Sequence, residues 1–144
     1  MKYLIAIVLF VISLQSSAKG IELSDVTQIY SVTKTGEVLR HAKWEGFEFL
    51  KSVFSEALNS APITQENNLG NVETIYKFVV PSAEQAETLW VTQKGLLYEG
   101  KAFAIDKGLL EKIETLIQNR LERERVLTEK QMAKLIQLEY GYTL

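Results

Sequence analysis

Three features of this chain predict an α+β fold: an antiparallel or mixed sheet of about five strands, two amphipathic helices on one face, and a short C-terminal accessory helix. Runs of β-branched and aromatic residues are separated by turn pairs such as Lys94-Gly95 and Glu99-Gly100, which join antiparallel neighbours. Two segments, one opening at Trp44 and one after Asp106, switch to apolar spacings of three and four, the signature of helices with one stripe to bury. A sheet face is the surface that such stripes cover.

The first eighteen residues, Met1–Ala18, are expected to be a secretory signal peptide. Met1 and Lys2 give a positive start, Tyr3–Leu14 is an uncharged apolar run, and Ser16 and Ala18 make a small-x-small exit. The run is shorter than the roughly twenty apolar residues that cross hydrocarbon. Cleavage would leave Lys19–Leu144, 144 − 18 = 126 residues, as a single domain with no integral membrane span. With no cysteine at the exit, the expected destination is periplasmic or secreted, and not that of a lipoprotein.

Val26, Ile29, Tyr30 and Val32, then a Lys34–Gly36 turn, then Val38 and Leu39, predict a strand pair. The alternation slips between Gln28 and Tyr30, which suggests a bulge or an edge position. Trp44–Pro62 predicts the first helix, its stripe formed by Phe47, Leu50, Phe54, Ala57, Leu58 and Ala61, with Pro62 stopping it. Thr64–Asn71 is a polar connection. Val72–Val80 is the clearest strand, with Tyr76, Phe78 and Val80 on one face. Leu89–Thr92, Leu96–Tyr98 and Lys101–Ile105 predict a meander in which Phe103 and Ile105 oppose Ala102 and Ala104.

Asp106 occupies an N-cap position before the second helix, whose apolar residues are Leu109, Leu110, Ile113, Leu116, Ile117 and Leu121. Thr128 and Gln131 have capping-box spacing, with Leu127 and Met132 at the staple positions, so a new helix starts after a break near Val126 and Leu127. Met132, Leu135 and Ile136 form its stripe, and Gly141 suits its end. Residues 127–144 are the accessory element.

The composition excludes several chemistries. The absence of cysteine removes thiolate catalysis and disulfide redox chemistry. Without Lys2 the chain carries 15 basic and 18 acidic residues, a surface unsuited to a phosphate backbone, so nucleic acid is not an expected partner. Gly95 and Gly100 fall in meander turns rather than in a phosphate loop, and no cofactor is expected. His41 is the only histidine and has no cluster of further ligands, so no metal is expected. It is placed at a strand end on the surface, where a pH switch is its functional alternative.

Among the carboxylates Asp25, Glu73, Glu87, Glu99 and Asp106, no pair stands out by spacing; Glu99 belongs to a turn and Asp106 to a cap. Arg120 with Glu124 and Glu122 with Arg125 describe a solvated helix face. No catalytic, cofactor-binding or metal residue is assigned.

Tyr76, Phe78, Leu89, Val91, Phe103 and Ile105 are expected in the core. Alternation sends Trp90 to the opposite face with Thr92. Trp90, Trp44, Tyr140 and Tyr142 are the candidate partner contacts, because large aromatics dominate binding surfaces. The expected function is that of a small exported bacterial-type protein acting as a non-catalytic protein-binding or inhibitor-like module, its partner an exported or envelope protein. The alternative is a small exported hydrolase using carboxylates on an envelope polymer.

Overall fold

The computed structural model describes residues 22–43, 45–63 and 73–144; the expected signal peptide, Trp44 and the connection Thr64–Asn71 lie outside them. The elements in chain order are β1 (Gln28–Val32), β2 (Val38–Ala42), α1 (Glu45–Asn59), β3 (Thr74–Pro81), β4 (Ala86–Thr92), β5 (Gly95–Tyr98), β6 (Lys101–Ala104), α2 (Lys107–Arg123) and α3 (Glu129–Tyr140). They form an α+β fold around one antiparallel sheet ordered β2-β1-β3-β4-β5-β6. The sheet has six strands, one more than the expected total of about five.

The first face of the sheet carries the larger core. Ile29 and Leu39 lie there with Tyr76, Phe78, Val80, Leu89, Val91, Leu96 and Phe103, under the stripes of α1 and α2. Phe54 of α1 meets Phe78 edge-to-face, with ring centres 4.9 Å apart. From α1, Phe47, Leu50, Phe54 and Ala57 are buried as expected, but Ala61 is exposed. The helix stops at Asn59, two residues earlier than Pro62 alone requires; Ser60 closes its last turn by donating both N–H and Oγ–H to the Ala57 carbonyl. Residues just before a proline disfavour the helical region. Asp106 does stand at the N-cap of α2, yet its side chain accepts no capping bond. Helix α2 buries Ile113 and Ile117 instead as its main anchors.

Leaving α2, the chain crosses the free edge of β2. Val38 N–H donates to the Leu127 carbonyl and Leu127 N–H to the Val38 carbonyl, each at 2.9 Å. This pair closes an otherwise open strand edge and delivers α3 to the second face of the sheet. The capping box forms there: Thr128 Oγ1 accepts from Gln131 N–H and Gln131 Oε1 from Thr128 N–H. Met132 and Ile136 are buried against Tyr30, Val32, Val38 and Val79, with Leu127 in the same cluster, and Gly141 ends the helix at φ 82°.

Two strand expectations are corrected. β1 is neither an edge strand nor bulged: it runs in unbroken register between β2 and β3, and all five of its residues are buried. Helices cover both of its faces, so apolar residues appear on both, and the alternation slips without any backbone irregularity. β4 begins at Ala86 rather than Leu89, because Pro81, Val80 and Val79 supply partners for Ala86, Glu87 and Thr88. The one register shift lies between Thr74 and Tyr76 of β3. At Gly95 (φ 150°) a Cβ would come within 2.2 Å of the Phe103 carbonyl oxygen, so only glycine permits this approach of β5 to β6.

Candidate functional site

Among the described residues, a helix covers only part of the second face. α3 lies over β1, β2 and β3, while β4, β5 and β6 carry a cross-strand row in which Lys77 opposes Trp90, Trp90 opposes Leu97 and Leu97 opposes Ala102. Trp90 is 41% exposed, as strand alternation from the buried Leu89 and Val91 requires. Lys77 stands where the cover of α3 ends: its Nζ lies 5.8 Å from the Trp90 ring centre and 3.6 Å from Glu129 Oε2 on α3. Beside Lys77, a groove of about 510 Å³ runs between the sheet, α3 and the C-terminal residues, lined by Val79, Thr88, Met132, Tyr142 and Leu144 among others.

Tyr140 and Tyr142 are half-buried and engage the sheet of their own chain. The Tyr142 hydroxyl donates to the Ser82 carbonyl (2.8 Å) and accepts from Ser82 N–H (3.2 Å), and its burial raises its pKa. The Tyr140 hydroxyl accepts from Gln28 Nε2 at 3.0 Å. Gln28 also donates to Glu139 and accepts from Arg40 Nε (2.6 Å each), while Arg40 Nη2 reaches Glu139 at 3.0 Å. These contacts fasten the end of α3 over β1 and β2. Trp90 is therefore the exposed aromatic among the four candidates within the described residues; Trp44 falls outside them.

A second constellation lies on the first face. His41, expected at the surface, is buried, with only 1% of its area exposed, because the last turns of α2 bring Arg120 over β2. Its Nε2 lies 2.8 Å from Ser31 Oγ, and Arg120 Nη1 lies 2.5 Å from its Nδ1. The pair has the spacing of a serine and its general base, but the proton is on the wrong nitrogen. A guanidinium can only donate, so Nδ1 is the acceptor and the neutral ring carries its hydrogen on Nε2. That N–H points at Ser31 and cannot take the hydroxyl proton. Burial first, and the Arg120 charge second, lower the His41 pKa from 6.5 to about 3.

Arg120 also lines a cleft of about 690 Å³ between the start of α1 and the end of α2, with Lys43, Gly46, Leu116, Asn119, Arg123 and Glu124. Neither this cleft nor the groove is lined by Asp25, Glu73 or Glu87. Glu73 precedes β3 and pairs with Lys34, whereas Glu87 opposes Val80 at the far end of the same strand. At the rise of an extended strand the two stand roughly 20 Å apart, beyond the separation of about 10 Å or less that glycoside hydrolysis uses. Glu87 instead accepts from the Tyr98 hydroxyl at 3.2 Å. Of the predicted ion pairs, Arg120–Glu124 forms; Arg125 lies past the end of α2, which removes it from the helical spacing with Glu122.

No sequence spacing announces the Ser31–His41–Arg120 contact, whose members lie 10 and 79 residues apart. The one local sign was a polar serine inside a β-forming run. No family model matches this chain, and comparison with curated proteins and with solved structures gives no match either.

Proposed function

We propose that this chain is an exported, non-catalytic protein-binding module of inhibitor-like type, and that it meets its partner with the sheet face bearing Trp90. The observation that carries this reading is the exposure of Trp90 in the middle of the row Lys77–Trp90–Leu97–Ala102, on the half of the second face that α3 leaves bare. The same face already accepts one amphipathic helix, α3, through Met132 and Ile136. The occupant of the bare half is an amphipathic helix of a partner protein lying beside α3. Lys77 is the one charge in the row, so the partner helix carries an acidic flank where it meets Lys77. Trp90 then acts as the anchor, since a tryptophan with neighbours that exclude water concentrates binding energy. Catalysis has less support: Glu73 and Glu87 stand at opposite ends of β3, and His41 presents a donor rather than a base to Ser31.

The test compares capture from envelope extract by the tagged chain and by its Trp90→Ala variant, with Leu138→Ala as control because Leu138 is exposed on α3. One protein held at near-equal stoichiometry by the wild type and by Leu138→Ala, but released by a folded Trp90→Ala, supports the assignment. Equal retention by all three removes Trp90 from any interface. Retention by none overturns the protein-binding reading.

A further inference from the structure

We infer that the cleft between the start of α1 and the end of α2 is a binding site for the oxyanion of a small molecule, a carboxylate or phosphate group. It lies on the opposite side of the sheet from Trp90 and is independent of the protein-binding reading. Its volume, about 690 Å³, falls in the range of small-ligand sites.

Charge is the first reason. Among the described residues the lining holds three cations, Lys43, Arg120 and Arg123, against one carboxylate, Glu124, a local balance of 3 − 1 = +2 in a chain whose formal charge is −2. Arg120 is the fixed element. Of the five N–H donors of a guanidinium, Nε and one on Nη2 go to Glu124, the second on Nη2 goes to the Arg40 carbonyl at 2.8 Å, and one on Nη1 goes to His41. Among the described residues one Nη1 donor is left without a partner, on a group that is already immobilised, so a ligand meeting it gains a hydrogen bond without ordering a side chain. Lys43 and Arg123 are exposed and form no ion pair among the described residues.

Backbone conformation is the second reason. Lys43 is held at φ 58°, and the other described non-glycine residue with positive φ is Glu99. Glu99 is accounted for by its hairpin turn with Gly100, which needs two consecutive residues in that region. Lys43 borders the cleft with its backbone in the left-handed region; strain of this kind concentrates at binding sites. The cleft is closed below by apolar contact: a Cβ on Gly46 would stand 3.0 Å from Leu116 Cδ1, so glycine lets the two helices approach there. Complementing the negative end of α2 explains why Arg120 and Arg123 occupy its last turn. It does not explain Lys43, which belongs to the connection before α1.

The experiment titrates the full chain with inorganic phosphate and, separately, with citrate, at constant ionic strength set by potassium chloride, following backbone amides by NMR. Saturable shifts are expected at Gly46, Asn119, Arg120 and Arg123, half-complete below millimolar concentration. Lys43→Gln and Arg123→Gln each should weaken binding roughly tenfold, the worth of one hydrogen bond between charged groups, while Lys134→Gln on α3 leaves it unchanged. Saturation by phosphate alone identifies a phosphoryl ligand, and by citrate alone a carboxylate. Shifts that rise linearly with both anions, that fall equally on Lys134, or that persist unchanged in both cleft variants overturn the site. The substituted side chains are exposed, so thermal midpoints within a few degrees of wild type establish that the variants fold.

Discussion

Acidification should destabilise this protein well before its carboxylates are neutralised, and His41 is the reason. The ring is neutral in the folded chain, with its pKa lowered from 6.5 to about 3, first by burial and then by the facing Arg120. The unfolded chain takes up the proton near pH 6.5, and the folded chain does not until about pH 3. Stability from this residue is therefore complete above pH 6.5 and falls as pH drops through the window between 6.5 and 3. At 1.36 kcal/mol per pH unit, the 1.5 units from 6.5 to 5 remove about 2 kcal/mol, and the whole window removes at most about 5 kcal/mol. Against a usual total of about 5–15 kcal/mol, the loss at pH 5 is easily measured.

The assay is urea unfolding of the wild type and of His41→Gln at pH 7 and pH 5. Glutamine can accept from Arg120 and donate to Ser31 but does not titrate. The variant is expected to be less stable at pH 7 and to lose about 2 kcal/mol less than wild type on going to pH 5, because the carboxylates common to both cancel in the difference. Identical losses in the two proteins would refute the assignment of a buried neutral ring. NMR of the imidazole gives an independent check: an Nδ1–H tautomer in the folded protein would overturn the donor order drawn from Arg120.

Two further substitutions test how the fold is closed. Thr128→Ala removes the acceptor that caps Gln131 N–H and should cost about 1 kcal/mol, read from the urea midpoint; no change would mean that α3 is held by its packing alone. Gly95→Ala meets the Phe103 carbonyl at 2.2 Å and should cost more than 2 kcal/mol, whereas Gly100→Ala, with nothing within 4 Å, should pay only for its positive φ of 75° and cost roughly 1 kcal/mol. Equal effects at the two glycines would show that approach of β5 to β6 is not what selects Gly95.

What was legible in the sequence was what local chemistry decides. Thr128, Gln131 and Gly141 lie within one helix and its ends, so start and stop signals needed no distant partner. The alternation Leu89–Trp90–Val91 placed Trp90 on the face away from the main core because period two is a property of the strand itself. Features set by long-range contact were missed. Ala86, Glu87 and Thr88 have weak strand preference and are extended because β3 offers them partners. His41 looked like a surface residue because its burial depends on Arg120, which arrives from a helix 79 residues later. The cleft was equally hidden: Lys43 and Arg123 acquire a shared purpose only when α1 and α2 cross at Gly46 and Leu116.

The uneven cover of the sheet connects these observations. A six-stranded sheet with helices on both faces needs enough helical surface for each, and among the described residues α1 and α2 serve the first face while α3 serves the second. Helix α3 is tied to the β2 side by the Val38–Leu127 bridge and by the Gln28, Arg40 and Glu139 contacts, so it cannot slide across to β5 and β6. The bare half could have been made harmless with polar strand formers. Thr88 is such a residue, and it stands on the same face of β4 as Trp90. Tryptophan stands at the central position, where threonine would satisfy both strand preference and solvent. Packing within the chain does not require it, since much of the indole remains open to solvent. The partner contact we propose would supply the reason for it, and Lys77, between the indole and Glu129, would then set the polarity of what approaches.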